Sequence, residues 1–125
     1  MTENEIASIV IDSAIRVHRE FGPGLLEAAY EMALSVELRK RGLEVRRQVG
    51  IPVHYDGMLL EMGYRADIIV EGKVILEIKS VELVPPVAYQ ILLTYLRFAD
   101  KRLGILLNFG CETMKEGIKR VVNGL

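Results

Sequence analysis

Three charged residues, Asp67, Glu77 and Lys79, interrupt the most aliphatic part of this chain. The surrounding stretch YRADIIVEGKVILEIKS, residues 64–80, is typical of two apolar β-strands joined by a tight turn at EGK. Charges inside such a segment lower stability unless they are paired or bind an ion. These three residues are therefore the first candidates for a functional site.

The spacing of the three residues predicts a shared surface. Glu77 and Lys79 are two positions apart, so on a strand their side chains point to the same face. If the turn closes on the pair Val70 and Val74, Asp67 lies opposite Glu77 on that face. This register is an assumption, because a slip of one residue would move Asp67 to the other face.

Two carboxylates beside an ammonium group can support hydrolysis of a phosphodiester. Neighbouring acids raise each other's pKa unless a cation lies between them, and Lys79 or a metal ion can be that cation. Mg²⁺ and Mn²⁺ prefer oxygen ligands and are often held by few protein groups plus water and phosphate. A lysine next to such an ion can orient or deprotonate an attacking water. An exposed Glu–Lys salt bridge is the alternative, and spacing alone leaves both open.

Helical periodicity predicts the elements around these strands. Thr2 and Glu5 form a T-x-x-E capping box at the start of the first helix, and Gly-Pro-Gly ends it at residues 22–24. Gly42 suits the end of the second helix, and Pro86 is tolerated in the first turn of the third. The predicted helices cover residues 3–20, 25–42, 86–99 and 112–124.

Alternating apolar residues predict the strands. From residue 43 the alternation places Val45, Arg47 and Val49 on one side of a first strand. An Asp-Gly turn indicates a hairpin, followed by a strand interrupted near Gly63. The remaining predicted strands cover residues 58–70, 74–80 and 102–110. The pattern indicates one α/β domain over residues 1–125.

Composition limits the function classes. The 125 residues carry a net charge of −1, which gives no general attraction to nucleic acid. No apolar run approaches the ~20 residues that span a bilayer, the start lacks a secretory signal, and Cys111 alone excludes an internal disulfide. A cytoplasmic protein without a membrane partner is expected. The basic stretch RKRGLEVRR, residues 39–47, is either a solvated helix end with an edge strand or a rim that contacts phosphates.

Two further stretches carry a resemblance. Residues 17–34, VHREFGPGLLEAAYEMAL, contain Gly24, Glu27 and Tyr30 in the pattern G-x-x-E-x-x-Y, and residues 89–110 look like the matching C-terminal half. Together with ADIIVEGKVILEIKS they resemble the GxxExxY family of the PD-(D/E)xK nuclease-like superfamily. The resemblance covers nearly the whole chain. It implies an α/β (α+β) fold with a restriction-endonuclease-like core, in which helices flank a central mixed sheet of about four to five strands.

The resemblance also implies the roles of the candidate residues. Asp67 and Glu77 would be metal-binding acids, the backbone carbonyl of Ile78 an extra ligand, and Lys79 the catalytic lysine. Glu27 matches the family acid that approaches the same site and binds the metal directly or through water. The implied cofactor is Mg²⁺ or Mn²⁺.

Several of these residues also have structural interpretations. An acid such as Glu27 near a helix start is favoured by the helix dipole regardless of function. Tyr30 suits a packing role in which its hydroxyl finds a partner. Gln90 resembles a glutamine near the active site in some branches, or is a helix-surface amide. His18 is either a metal ligand or a structural histidine, and no role is assigned to Tyr95.

The leading hypothesis is a metal-dependent nuclease that acts on nucleic acid, with DNA as the expected substrate and a homodimer expected by analogy. A second hypothesis is a weakly active or inactive module of the same fold that binds nucleic acid or a protein. A third is a structural module in which the acids and the lysine form only an ion-pair network.

Overall fold

A computed structural model describes residues 1–60 and 64–125 of the chain. Within these residues the helices are α1 (Glu3–Phe21), α2 (Glu27–Lys40) and α3 (Val87–Ala99), and a 3₁₀ turn covers Met114–Gly117. The strands are β1 (Val45–Gly50), β2 (Val53–Tyr55), β3 (Met58–Leu60), β4 (Arg65–Val70), β5 (Val74–Lys79), β6 (Leu103–Asn108) and β7 (Ile118–Val122). The interruption predicted near Gly63 lies outside the described residues. No helix in the described part is long and apolar enough to cross a membrane.

The central sheet is mixed. In the described residues its five strands follow the order β1-β4-β5-β6-β7, while β2 and β3 form a separate hairpin. Neighbouring strands are antiparallel except β5 and β6, whose parallel pairing requires the crossover that α3 supplies. The α+β class and the mixed sheet are therefore as predicted, and they are consistent with a restriction-endonuclease-like fold.

Helices cover both faces of the sheet. On one face, α1 and α2 bury residues such as Val10 and Leu34 against Leu76. On the other face, Leu92 of α3 packs against Ile75. Because consecutive residues of β5 enter different apolar clusters, this strand is the centre of the fold, and its charged residues are held between two packed layers.

The register of β4 and β5 is the predicted one. Val70 pairs with Val74 across the EGK turn, and the ladder continues to the pair of Ile68 and Leu76. Leu76 and its neighbour on the same face, Ile78, are buried beneath α1 and α2. The alternation therefore sends Glu77 away from that cluster.

The alternation predicted for β1 was wrong. Val45 packs beneath α1 and α2, whereas Val49 packs against the cluster beneath α3, so the two do not share a side. The reason is Gln48, whose φ of 52° is left-handed. This conformation interrupts the pleat between the pairs Arg47–Ile68 and Val49–Ala66. The face of the strand changes at Gln48.

The predicted C-terminal helix, residues 112–124, was also wrong. The segment forms the 3₁₀ turn and then β7, which pairs antiparallel with β6. β6 is buried along its whole length, so an unpaired edge would leave backbone groups without partners. Ile118 and Val121 favour a strand and pack against opposite apolar clusters. Pairing with β6 therefore outweighs the helical periodicity of the segment.

The other boundaries agree with the sequence to within two residues. The capping box forms, since Thr2 Oγ1 accepts from the Glu5 backbone and Glu5 Oε1 accepts from the Thr2 backbone. α2 begins at Glu27 rather than at residue 25. The segment between α1 and α2 turns through Gly22 and Gly24, with φ of 65° and 113°, which only glycine adopts without strain.

Candidate active site

Asp67 and Glu77 meet where β4 and β5 separate. Beyond the pair of Ile68 and Leu76, the backbones of β4 and β5 are no longer paired, and side chains make hydrogen bonds between the two strands. Asp67 Oδ2 accepts a hydrogen bond from the Ile78 backbone N–H at 2.8 Å, and Glu77 Oε1 accepts from the Asp67 backbone N–H at 3.3 Å. The structure therefore brings the two predicted acids together on adjacent strands.

The surroundings of the two acids disfavour their ionised forms. Burial raises the pKa of Glu77 to about 8, and the neighbouring charge of Asp67 adds to this effect. Burial also raises the pKa of Asp67, against the lowering effect of the Ile78 N–H, while the charges of Glu31 and Glu27 raise it further. A cation bound between these carboxylates would relieve both effects.

Lys79 is the last residue of β5 and lies next to the acids. Its positive charge lowers the pKa of both Asp67 and Glu77, though less than burial raises them. Its carbonyl accepts from the Phe109 backbone N–H at 2.8 Å, which fixes the end of β5 beside the chain that follows β6. Lys79 as a residue is half-buried, and it is the cation nearest in sequence to Glu77.

Ile78 contributes its backbone to the site. Its side chain is 1% exposed and belongs to the core. Its N–H faces Asp67, and a strand residue directs its N–H and C=O toward the same neighbouring strand. The Ile78 carbonyl is therefore directed toward the β4 side, as the predicted ligand role requires.

Glu27 reaches the same end of β5 from α2. Its Oε2 accepts from the Ser80 backbone N–H at 3.3 Å, and Ser80 Oγ donates to the Leu25 carbonyl at 2.7 Å. Tyr30 fixes this connection, because its buried hydroxyl donates to the Gly22 carbonyl at 2.5 Å and accepts from the Leu25 N–H at 3.1 Å. The packing role predicted for Tyr30 is confirmed. The tyrosine of the G-x-x-E-x-x-Y pattern therefore positions the glutamate.

Two residues near Asp67, Glu31 and Gln48, were missed from the sequence. Glu31 is 5% exposed and accepts from Arg47 Nε at 2.9 Å and from Gln48 Nε2 at 2.8 Å. Gln48 Nε2 also reaches Asp67 Oδ1 at 3.5 Å. Glu31 follows Glu27 by four residues, so the helical repeat was the signal that could have found it. The left-handed conformation of Gln48 has no such signal in the sequence.

The basic stretch at residues 39–47 matches the first of its two interpretations, because α2 ends at Lys40, β1 is an edge strand in the described part of the sheet, and the five basic residues are exposed. Arg41 pairs with Asp12 at 2.5 Å, Arg47 pairs with Glu31 at 2.8 Å, and Arg39 donates to the Val45 carbonyl. Three of the five basic side chains therefore have partners within the chain rather than forming a free rim for phosphates.

Gln90 and His18 make no side-chain hydrogen bond to this network within the described residues. Gln90 is exposed on α3, and the hydrogen bond seen for it in the described residues is from Thr94 Oγ1 to its carbonyl, at 3.0 Å. His18 is 6% exposed, and its Nε2 lies 2.9 Å from the Cys111 carbonyl. That contact gives His18 a structural partner.

The donor set suits an open site for a hard divalent cation. Across residues 1–60 and 64–125, no group of three or more His, Cys, Asp or Glu is placed to hold a metal ion by itself. Mg²⁺, however, is commonly held by one or two carboxylates, with water and substrate phosphate completing its shell. The oxygen ligands of Asp67 and Glu77, and the raised pKa of Glu77, fit that arrangement.

One of the comparisons with known proteins gives a match. A family model described as the PD-(D/E)XK nuclease superfamily matches residues 4–121, which is nearly the whole chain. No curated protein matches the chain, and no solved structure does.

Proposed function

The chain belongs to the PD-(D/E)XK nuclease superfamily, and from this premise we propose that it hydrolyses phosphodiester bonds of nucleic acid at Asp67, Glu77 and Lys79. The observation that carries the proposal is the pair of carboxylates at the point where β4 and β5 separate, with the pKa of Glu77 raised by burial and by Asp67. Such a pair gains stability from a bound cation. PD-(D/E)XK nucleases generally use divalent metal ions.

Mg²⁺ or Mn²⁺ is the proposed cofactor, held by Asp67 and Glu77 with help from Glu27 and the Ile78 carbonyl. When bound, the ion would neutralise charge on the scissile phosphate and lower the pKa of a water molecule. Lys79 would donate a hydrogen bond that holds the attacking water in line with the phosphorus. Gln90, exposed near the start of α3, is proposed as a further catalytic residue on the resemblance alone.

The surrounding contacts support the orientation of these groups. The N–H of Ile78 holds one oxygen of Asp67 and Gln48 approaches the other, so rotation of the carboxylate is restricted. Ser80 and Tyr30 hold Glu27 and its helix against the end of β5. Fixed acids lose less entropy on binding an ion or a substrate than free ones.

The test is cleavage of labelled DNA and RNA oligonucleotides with Mg²⁺ or Mn²⁺. We expect Lys79→Ala and Asp67→Asn each to lower the rate by about 10²-fold or more, as the loss of a group acting on the reacting atoms does. Lys115→Ala is the matched control, because Lys115 is exposed on the 3₁₀ turn. If the folded wild-type protein cuts neither nucleic acid with either metal, the proposal is wrong.

Two finer points complete the proposal. DNA is the expected substrate, and a comparison of DNA and RNA oligonucleotides of the same sequence tests it. A homodimer is expected by analogy, because cutting both strands of a duplex often requires two sites. Light scattering on the purified protein measures the mass directly.

A further inference from the structure

Two tyrosine rings lie in contact range beside the candidate active site. Tyr64 directly precedes β4 and Tyr95 lies on α3, and their ring centroids are 6.0 Å apart with the planes tilted by 41°. Tyr95 is half-buried and packs against the apolar cluster beneath α3. Tyr64 is 42% exposed, and its carbonyl accepts from the Ile51 N–H at 2.8 Å. One ring thus packs, half-buried, against the core and supports a second ring that is open to solvent.

The pair adjoins the acids. Tyr64 is three residues from Asp67 on the same extended segment. α3 packs on the face of β5 that carries Ile75, and Glu77 follows Ile75 by two residues. Burial raises the pKa of Tyr95, and the charge of Glu77 raises it further, so the hydroxyl lies within electrostatic range of the site.

Building on the proposed function, we propose that Tyr64, supported by Tyr95, stacks on an unpaired nucleobase next to the scissile phosphate. Aromatic side chains bind bases by stacking, and this contact tolerates any sequence because every base has a π-face. A base inside a duplex is already stacked on both sides and cannot use such a ring. The substrate class is therefore nucleic acid with a single-stranded or unpaired segment at the site of cleavage.

The charge distribution favours a substrate with a single-stranded or unpaired segment over a long duplex. Extended duplex binding relies on many contacts between basic side chains and phosphates. The net charge is −1, and Arg39, Arg41 and Arg47 already have partners within the chain. Base stacking supplies affinity that does not depend on a large basic surface.

The experiment measures equilibrium binding of a fluorescent single-stranded oligonucleotide and of its duplex, with Ca²⁺ in place of Mg²⁺. We expect Tyr64→Ala to weaken single-strand binding by about 5- to 150-fold and to leave duplex binding unchanged. Tyr64→Phe keeps the ring and should stay within about twofold of wild type. Tyr55→Ala is the matched control, because Tyr55 is a tyrosine 75% exposed on β2. A 2-aminopurine base in the single strand should lose fluorescence on binding to wild type but not to Tyr64→Ala.

The outcomes separate this inference from the proposed function. The stacking role is overturned if Tyr64→Ala and Tyr64→Phe lose the same affinity for the single strand, or if Tyr64→Ala loses the same affinity for single strand and duplex. Cleavage by the wild type would still stand in either case. A wild-type protein that cuts duplex and single strand alike, with no effect of Tyr64→Ala, overturns it too. If the wild type neither binds nor cuts any nucleic acid, both proposals fail.

Discussion

Glu77→Gln is expected to stabilise the metal-free protein at high pH while removing its response to metal. The substitution keeps the shape of the side chain and an oxygen that can accept from the Asp67 N–H. It removes the negative charge that burial and Asp67 disfavour. At Glu77, function and stability are therefore expected to oppose each other.

The magnitude follows from the pKa. A carboxyl whose pKa rises from 4.5 to about 8 on folding is protonated in both states below 4.5, so the shift has no effect there. Between these values the folded protein holds the proton and the unfolded chain does not, so stability falls as pH rises. At about 1.4 kcal/mol for each pKa unit, a rise of about 3.5 corresponds to about 5 kcal/mol. Since part of the Glu77 side chain is open to solvent, we expect a gain of about 2–4 kcal/mol for Glu77→Gln at pH 9.

The assay is urea unfolding with a chelator present, at pH 5 and at pH 9. The variant should lie within about 1 kcal/mol of the wild type at pH 5, just above 4.5, and exceed it more clearly at pH 9. Glu20→Gln, which changes an exposed glutamate on α1, should follow the wild type at both values. Equal stabilities of Glu77→Gln and wild type at pH 9 would refute the claim that Glu77 is ionised at a cost in the folded state.

Three further outcomes are expected. In thermal shift assays, Mg²⁺ or Mn²⁺ should raise the melting temperature of the wild type more at pH 8.5 than at pH 6.5, because protons compete with the metal ion for the acids. The melting temperature of Asp67→Asn should rise little at either pH. Gln48→Gly should leave stability to urea within about 1 kcal/mol of wild type, because relief of the left-handed conformation is offset by loss of the hydrogen bond to buried Glu31. It should also lower the cleavage rate because Asp67 loses a neighbour; a variant at wild-type activity would contradict this. Gly117→Ala should lower stability by about 1–3 kcal/mol, because its Cβ would overlap the Asn108 carbonyl oxygen, whereas Gly50→Ala, with open space at its Cβ, should not.

The order of elements through β6 could be predicted because it depends on local signals. The EGK turn and the alternation on either side of it fix the β4–β5 register, and that register alone brings Asp67 to Glu77. The structure of residues 118–122 could not be predicted from local signals. β7 exists because the buried strand β6 needs a partner for its second edge, and that requirement belongs to the folded protein rather than to residues 118–122.

The residues of the candidate site also differ in whether local sequence signals predict them. Asp67, Glu77 and Glu27 carry recognisable spacing, whereas Glu31 and Gln48 reach Asp67 only through non-local contacts. Those contacts depend on a left-handed residue in β1, which no alternation of apolar residues predicts.

The departures from regular structure are concentrated around the acids. A left-handed Gln48 interrupts β1, β4 and β5 separate at Asp67, and Glu77 stays half-buried with a raised pKa. Each departure lowers stability, and together they place carboxylate oxygens at the end of β5, beside the fully buried strand β6. A purely structural ion-pair network would have lowered the pKa values of its acids, as compensated carboxylates do. At both Asp67 and Glu77 burial instead raises the pKa, and the cation of the proposed function would oppose that effect.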